Sequence, residues 1–366
     1  MSQPVNLSTQ VLMMPDYRVD NPYQTLLAEA LQQEQTGVYF PIGYRRVFPL
    51  FRALKDQPVP IQILHLHWIN PYIKGETWLK RSIYSLKFLA DLLICRFSGV
   101  KVAWTIHNRL SHEAQFPLLE LWTIRQLVKL VDRIIVHHQA AIPELADLYQ
   151  FNPDKAAVVP HGHYRAIYGE AIEPAEARAI LGLPAKGRLF LNLGMLRPYK
   201  GIERLLRIWQ EHSEIAAEHT LLIAGKPKED SYGEQLSEQI AQIKGAVLHL
   251  GFVEDHLIPL YFSAADIVIL PFENILTSGS LLLAMSYGKP IVAPRSPGIV
   301  ETLGQADELL YSPQNDDELL HAIRKSVQSN LTTLKHLVNQ ECDRLSWEAI
   351  AQKTYYIYRT ALTNES

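Results

Sequence analysis

Cysteine is scarce: the chain has 366 residues and two cysteines, Cys95 and Cys342. Two distant thiols exclude a disulfide framework and any Cys-based metal spacing, and they suit a reducing compartment. Strong net charge is also missing, at −3 for the whole chain, so composition makes no case for a nucleic-acid partner. No long apolar run occurs. The most apolar helical stretch, SIYSLKFLADLLICRF (82–97), is interrupted by Lys87 and Asp91 and falls short of the roughly 20 apolar residues of a spanning helix. The opening MSQPVNLSTQ lacks the basic start and apolar run of a signal peptide. Short repeats and low-complexity tracts are absent too. These absences together predict a cytoplasmic protein.

What is present is 48% hydrophobic and 20% charged, with length for two domains. Short β-branched runs alternate with amphipathic helices. Strands are predicted at 11–15, 61–68, 100–107, 132–138 and 155–161, with helices over 21–34, within 76–97, and over 118–131 and 142–150. The alternation restarts with GRLFLNLG (187–194) and runs through HTLLIAG (219–225), AVLHLGF, ADIVILP and KPIVAP. Such alternation implies parallel sheets with helices on both faces. Two runs imply two doubly wound domains, 1–165 and 166–345, with a last helical stretch at 346–366 able to pack back on the first. Ligands of open parallel sheets bind beyond the carboxyl ends of the strands, so the polar residues just after strands carry the most weight. Two such sheets facing one another would form a cleft.

Charge is uneven. Residues 41–100 hold nine Lys and Arg against three Asp and Glu, mixed with aromatics as in YRRVFPLFRALK. Such a segment is either a solvated face or a surface attracted to anionic headgroups at the inner face of a membrane.

In DYRVDNPY (16–23), Asn21 before Pro22 reads as a helix N-cap, which also sets Asn21 and Tyr23 beyond a strand end as acceptor contacts. His65 and His67 share one face of a strand, and no third ligand follows at metal spacing, so hydrogen-bonded histidines are expected. His67 and Trp68, at the strand's end, suit a sugar: the ring stacks on a pyranose and the imidazole bonds its hydroxyls. His107 closes VKVAWTIH and is placed for acid–base work; His112 and Glu113 lie in the same loop, and His161-Gly162 closes the last strand of this half.

In the second half, GMLRPYKG (194–201) puts Gly194 at a strand end and Arg197 and Lys200 beside a helix start, an anion site without the spacing of a Walker loop. Lys226, after HTLLIAG, repeats the idea weakly. Thr277-Ser278-Gly279-Ser280 opens the helix SLLLAMSYG, where backbone N–H groups and hydroxyls suit either simple capping or a bound diphosphate. Two phosphate-type sites in one domain point to a nucleoside diphosphate.

These residues resemble a family. GMLRPYKGIERLL, AADIVILP and LLLAMSYGKPIVAP are similar to the donor domain of the family-four GT-B glycosyltransferases, and TIHN, VVPHG and SWEAIA match in place. The resemblance implies two Rossmann-like domains. It also implies sugar transfer from a nucleoside-diphosphate sugar to a glycan or lipid-linked acceptor, with no metal and no further cofactor. It assigns Lys200 and Arg197 to the leaving diphosphate and His107 to the reacting sugar. The family's arginine stands directly after the first glycine, where this chain has Met195. Its two glutamates, eight positions apart, fall on Ile275 and Leu283; Glu273 lies close enough to stand in for the first. This pattern resembles a subset of bacterial exopolysaccharide and glycolipid transferases, and it leaves retention or inversion open. A nucleotide-sugar epimerase, which would change a sugar without any acceptor, and a non-catalytic nucleotide-sugar binder are the alternatives.

Overall fold

In a computed structural model the described residues are 9–363, except 20, 44–45, 110–114, 166, 273–275 and 277. The chain divides into two compact units, one running to Gly162 and taking up Ser346 onward, the other spanning His163–Leu345.

The first unit is built on six parallel strands: β1 (Thr9–Met14), β2 (Thr36–Tyr39), β3 (Ile63–Leu66), β4 (Lys101–Thr105), β5 (Arg133–Val136) and β6 (Ala156–Val158), in the order β2-β1-β3-β4-β5-β6. Val11, Leu12 and Met13 are all buried. Consecutive side chains point to opposite faces, so this sheet is covered on both, as all-parallel sheets are. One face packs against helices Tyr23–Gln33 and Trp347–Thr363. Val11, Met13, Ile63, Ala103 and Ile135 meet Leu27, Leu31, Ile350, Ala351 and Tyr358 there in a single apolar cluster.

The second unit repeats the plan with β7 (Leu189–Leu193), β8 (Thr220–Gly225), β9 (Ala246–Leu250), β10 (Ile267–Ile269), β11 (Ile291–Pro294) and β12 (Leu310–Tyr311), in the order β12-β11-β10-β7-β8-β9. Strand order reverses between β7 and β10, which opens a ligand crevice at their carboxyl ends. The Asn192 side chain donates to the Ile269 carbonyl at 2.8 Å and holds the two strands together there. Doubly wound sheets in both units agree with the expected GT-B architecture.

Some elements differ from the sequence reading. The helix expected from residue 21 starts at Tyr23, because the Asn21 side chain accepts from the Tyr23 N–H at 3.0 Å as an Asx turn ahead of it. β2 and the helix Pro49–Lys55 had not been foreseen, nor had the helices Pro297–Leu303, Asp316–Gln328 and Leu331–Asp343. Among the described residues, no helix is long and apolar enough to cross a membrane.

Candidate functional site

The second unit gathers the donor candidates at the β7/β10 crevice. Gly194 follows β7 with φ +140°, and a Cβ placed on it would lie 3.3 Å from both Lys200 Nζ and Ser280 Oγ. Glycine strand end, lysine and helix N-terminus, which the sequence holds far apart, therefore meet at one point. The turn that brings Lys200 back depends on Gly201. Its φ is +71°, and any Cβ there would stand 2.1 Å from the Pro271 carbonyl beyond β10, so only glycine lets the backbone come so close.

Burial and the neighbouring Arg197 cation hold the Lys200 ammonium down to about 8. A buried ammonium beside a second cation favours a nearby anion. Arg197 turns its guanidinium onto the Met195 sulfur, with Nη2 at 2.9 Å. Residue 195, where the resembling family keeps its arginine, thus serves here as the rest for an arginine two positions later.

Ser278 is the N-cap of helix Gly279–Ser286, its Oγ accepting from the Leu281 N–H at 3.1 Å. The capping role is therefore real, and what remains for a ligand is the exposed Gly279 and the half-buried Ser280. Leu283 is buried. Lys226 is exposed beside an open hollow lined by Pro227, Asp230, Glu234, Leu250 and Phe252. Glu273 and Thr277 lie outside the described residues.

The first unit gathers histidines. His67 follows β3, His107 β4, His137 β5 and His161 β6, and His65 sits within β3. Parallel register aligns the strand ends, with Leu66 beside Trp104, Thr105 beside Ile135 and Val136 beside Val158, so the imidazoles fall side by side. Tyr23 is buried in their midst, its ring centre 4.6 Å from His161, 5.1 Å from His107, 5.7 Å from His67 and 6.0 Å from His137. The Trp68 ring stacks on His107 at 4.4 Å, nearly parallel. Asn21 is half-buried and spends its side-chain oxygen on the Tyr23 N–H.

Ring nitrogens link this cluster. His137 Nδ1 lies 2.9 Å from the Val159 carbonyl, His137 Nε2 lies 3.2 Å from His107 Nδ1, and His107 Nε2 lies 3.2 Å from His67 Nδ1. His65 sits between the Tyr358 hydroxyl at 2.6 Å and the Thr105 hydroxyl at 2.7 Å. Burial holds every one of these rings in its neutral form: His65 and His161 are pushed down to about 3 and His137 to about 4, while His67 and His107 fall well below their ordinary value.

The structure thus brings together Gly194, Lys200, Ser278 and Ser280 in one unit and Tyr23, His67, Trp68 and His107 in the other. Sequence reasoning passed over His137 and His65 as members of a site, although DRIIVHH ends on histidine just as VKVAWTIH does. His112 lies outside the described residues. Among the described residues, no group of three or more His, Cys, Asp and Glu could hold a metal ion.

Comparison with known proteins bears on both units. Residues 187–329 match the family model of glycosyl transferases group 1. A GDP-mannose:glycolipid 4-beta-D-mannosyltransferase from Xanthomonas campestris pv. campestris is 27% identical over 350 residues, covering 93% of this chain and 89% of that protein. The chain is a GT-B glycosyltransferase. Solved structures share the enzyme's fold. A sucrose-phosphate synthase from Thermosynechococcus elongatus superposes with a TM-score of 0.70 at 18% identity, covering 98% of this chain and 100% of that one. Anabaena HepE in complex with UDP-glucose gives 0.70 at 16% identity, covering 97% and 100%.

Proposed function

We propose that the enzyme transfers a hexose from a nucleoside-diphosphate sugar to a hydroxyl of a lipid-linked glycan. The observation that carries this reading is the convergence of Gly194, Lys200 and Ser280 at one crevice. A lysine ammonium, a helix N-terminus and a glycine that lets a ligand approach the backbone form a diphosphate seat. Positive charge from Lys200 and Arg197 there stabilises the departing diphosphate, the task a metal ion performs elsewhere. The Xanthomonas relative favours GDP-mannose as donor and a glycolipid as acceptor.

Thermal-shift and calorimetric titrations with GDP, UDP, ADP and GDP-mannose test the donor side, because a ligand that binds only the native state raises its stability. GDP is expected to bind most tightly, and the double change Ser278→Ala with Ser280→Ala to weaken it about tenfold. Unchanged nucleotide affinity in that double variant would remove the two hydroxyls from the site.

The acceptor side is supported by a surface of the first unit. Helix Trp78–Phe97 leaves Trp78, Leu79, Ile83, Leu86, Leu93 and Phe97 exposed, at spacings that keep the last five on one stripe. Exposed Lys80 and Lys87 lie on the same helix. Phe97 is 87% exposed, a position no solvated helix face requires. Beside the helix, a cavity of about 70 Å³ joins Phe48, Tyr72, Tyr84 and Phe88 to the cations Arg46 and Lys87. The stripe would seat the enzyme on anionic lipid, where its acceptor is anchored. Wild-type protein is expected to co-sediment with phosphatidylglycerol vesicles at low salt, and Leu79→Glu with Leu86→Glu to abolish this. Equal binding by both proteins would refute the docking surface.

A further inference from the structure

The hydrogen bonds of the histidine cluster fix more than its packing. The Val159 carbonyl can only accept, so the hydrogen of neutral His137 sits on Nδ1. His137 Nε2 is then a bare lone pair, and the 3.2 Å contact requires His107 to donate from Nδ1. His107 Nε2 is in turn bare and receives the Nδ1 hydrogen of His67. One backbone carbonyl thereby sets the tautomer of three rings in series. The series ends on His67 Nε2, a lone pair with no hydrogen-bond partner, on a side chain only 2% exposed. Leaving such an acceptor unpaired costs stability unless water or a ligand uses it.

The rest of His67 is held rigidly. Its N–H donates to the Met14 carbonyl at 2.9 Å, and its own carbonyl accepts from the Trp104 indole N–H at 3.1 Å. With Trp68, Asn70, His107, Asn108 and Arg109, His67 lines a cavity of about 30 Å³, room for a water molecule or a sugar hydroxyl. His107, which the sequence puts forward for acid–base work, has both ring nitrogens engaged by its neighbours.

We propose that His67 is the base of the transfer, taking the proton of the acceptor hydroxyl on Nε2, with His107 and His137 as positioning residues that keep that atom unprotonated. The inference rests on the glycosyl-transfer reading above. In the step, the acceptor oxygen bonds to the anomeric carbon, the bond from that carbon to the diphosphate oxygen breaks, and its electron pair leaves with the diphosphate. The hydroxyl proton goes to His67 Nε2. As it arrives, the Nδ1 hydrogen of His67 can pass to His107 Nε2, and that of His107 to His137 Nε2. The positive charge then moves away from the reacting centre to the ring held by Val159.

Two measurements test this. The first needs no substrate: imidazole ¹⁵N–¹H spectra of the full chain labelled on histidine, assigned with single His→Asn variants. His67, His107 and His137 are expected to carry hydrogen on Nδ1 at pH 7.5; a hydrogen on His67 Nε2 overturns the proposal. The second is transfer from GDP-mannose into a lipid-linked glycan extract. His67→Asn keeps a donor toward His107 and removes the base, so its kcat is expected to fall about 10²–10⁴-fold with GDP affinity unchanged. Wild-type turnover in that variant overturns the proposal. His137→Leu releases the tautomers and should lower kcat about tenfold at unchanged KM. His137→Gln, which can donate to Val159 and accept from His107, should restore it; equal losses in both variants would reduce His137 to a structural role. If wild-type protein transfers nothing from GDP-mannose, the donor assignment is at fault, and the spectra still decide the tautomer chain.

Discussion

Lys200→Ala is expected to lower sugar transfer by about 10²–10³-fold, the usual cost of removing one preorganised group that meets charge developing in a transition state. The loss should fall on kcat more than on donor affinity, because the diphosphate gains charge as the sugar leaves. A Cβ on Gly194 would lie 3.3 Å from both the Lys200 ammonium and the Ser280 hydroxyl, so the ammonium stands where the β7 turn meets the helix start. The pH dependence supplies a second readout. Burial and Arg197 hold Lys200 down to about 8, so the free enzyme begins to lose this charge above that pH, whereas a bound diphosphate retains it. GDP affinity should therefore decline by up to about tenfold per pH unit above pH 8 in the wild type and stay level in Lys200→Ala. Burial penalises the charge, so the variant should unfold at a midpoint no lower than that of the wild type without ligand. Near-normal turnover would remove Lys200 from the mechanism, and a collapsed midpoint would make its role structural.

The crevice was legible in the sequence because parallel sheets obey a positional rule. GMLRPYKG and the TSGS helix start each follow an apolar strand, and ligands of such sheets lie at carboxyl ends near a reversal of strand order. That Lys200 and Ser280 belong to neighbouring strand ends needed only β7 and β10 side by side. The histidine chain was legible only in part. Strands ending on histidine are visible as letters, but ring-to-ring contact depends on register, and the tautomers depend on the Val159 carbonyl, which no side-chain pattern reports. Tyr23 illustrates the same limit. Placed beyond a strand end it suggests an acceptor contact, yet the Asn21 turn swings it under the rings, where it is buried. The stretch after KPIVAP was missed for a different reason. Asn315, whose side chain accepts from the Glu318 N–H at 3.1 Å, opens a helix with Asp316, Asp317 and Glu318 in its first turn, a start signal written in the sequence.

Mild acid is expected to unfold the first unit. His65, His67, His107, His137 and His161 are buried and neutral, with His65 and His161 pushed down to about 3 and His137 to about 4. In an unfolded chain each would titrate near 6.5. Between those values the unfolded state binds the extra proton, so stability rises with pH across this window. The contribution of each ring is complete above about pH 6.5 and is lost as pH falls toward the ring's folded value. The slope is about 1.4 kcal/mol per pH unit for each ring. His65, His137 and His161 together would cost on the order of 6 kcal/mol by pH 5, and His67 and His107 act in the same direction; that is comparable with the whole stability of a typical domain. The charged groups on the pocket side, Arg109 and Glu120, do not remove this slope, because it belongs to the rings' own burial. Hydrogen exchange read by peptide, after transfer from pH 7.5 to a series ending at pH 4.5, should show β3 to β6 losing protection near pH 5. The strands of the second unit, where His219 and His249 are lowered but only partly buried, should persist to lower pH. Replacing His65 with Gln, which can still meet Tyr358 and Thr105, should reduce the acid slope by one proton. A first unit that keeps full protection at pH 4.5 would mean that the rings open to water without unfolding, and the buried, neutral histidine chain would have to be abandoned with it.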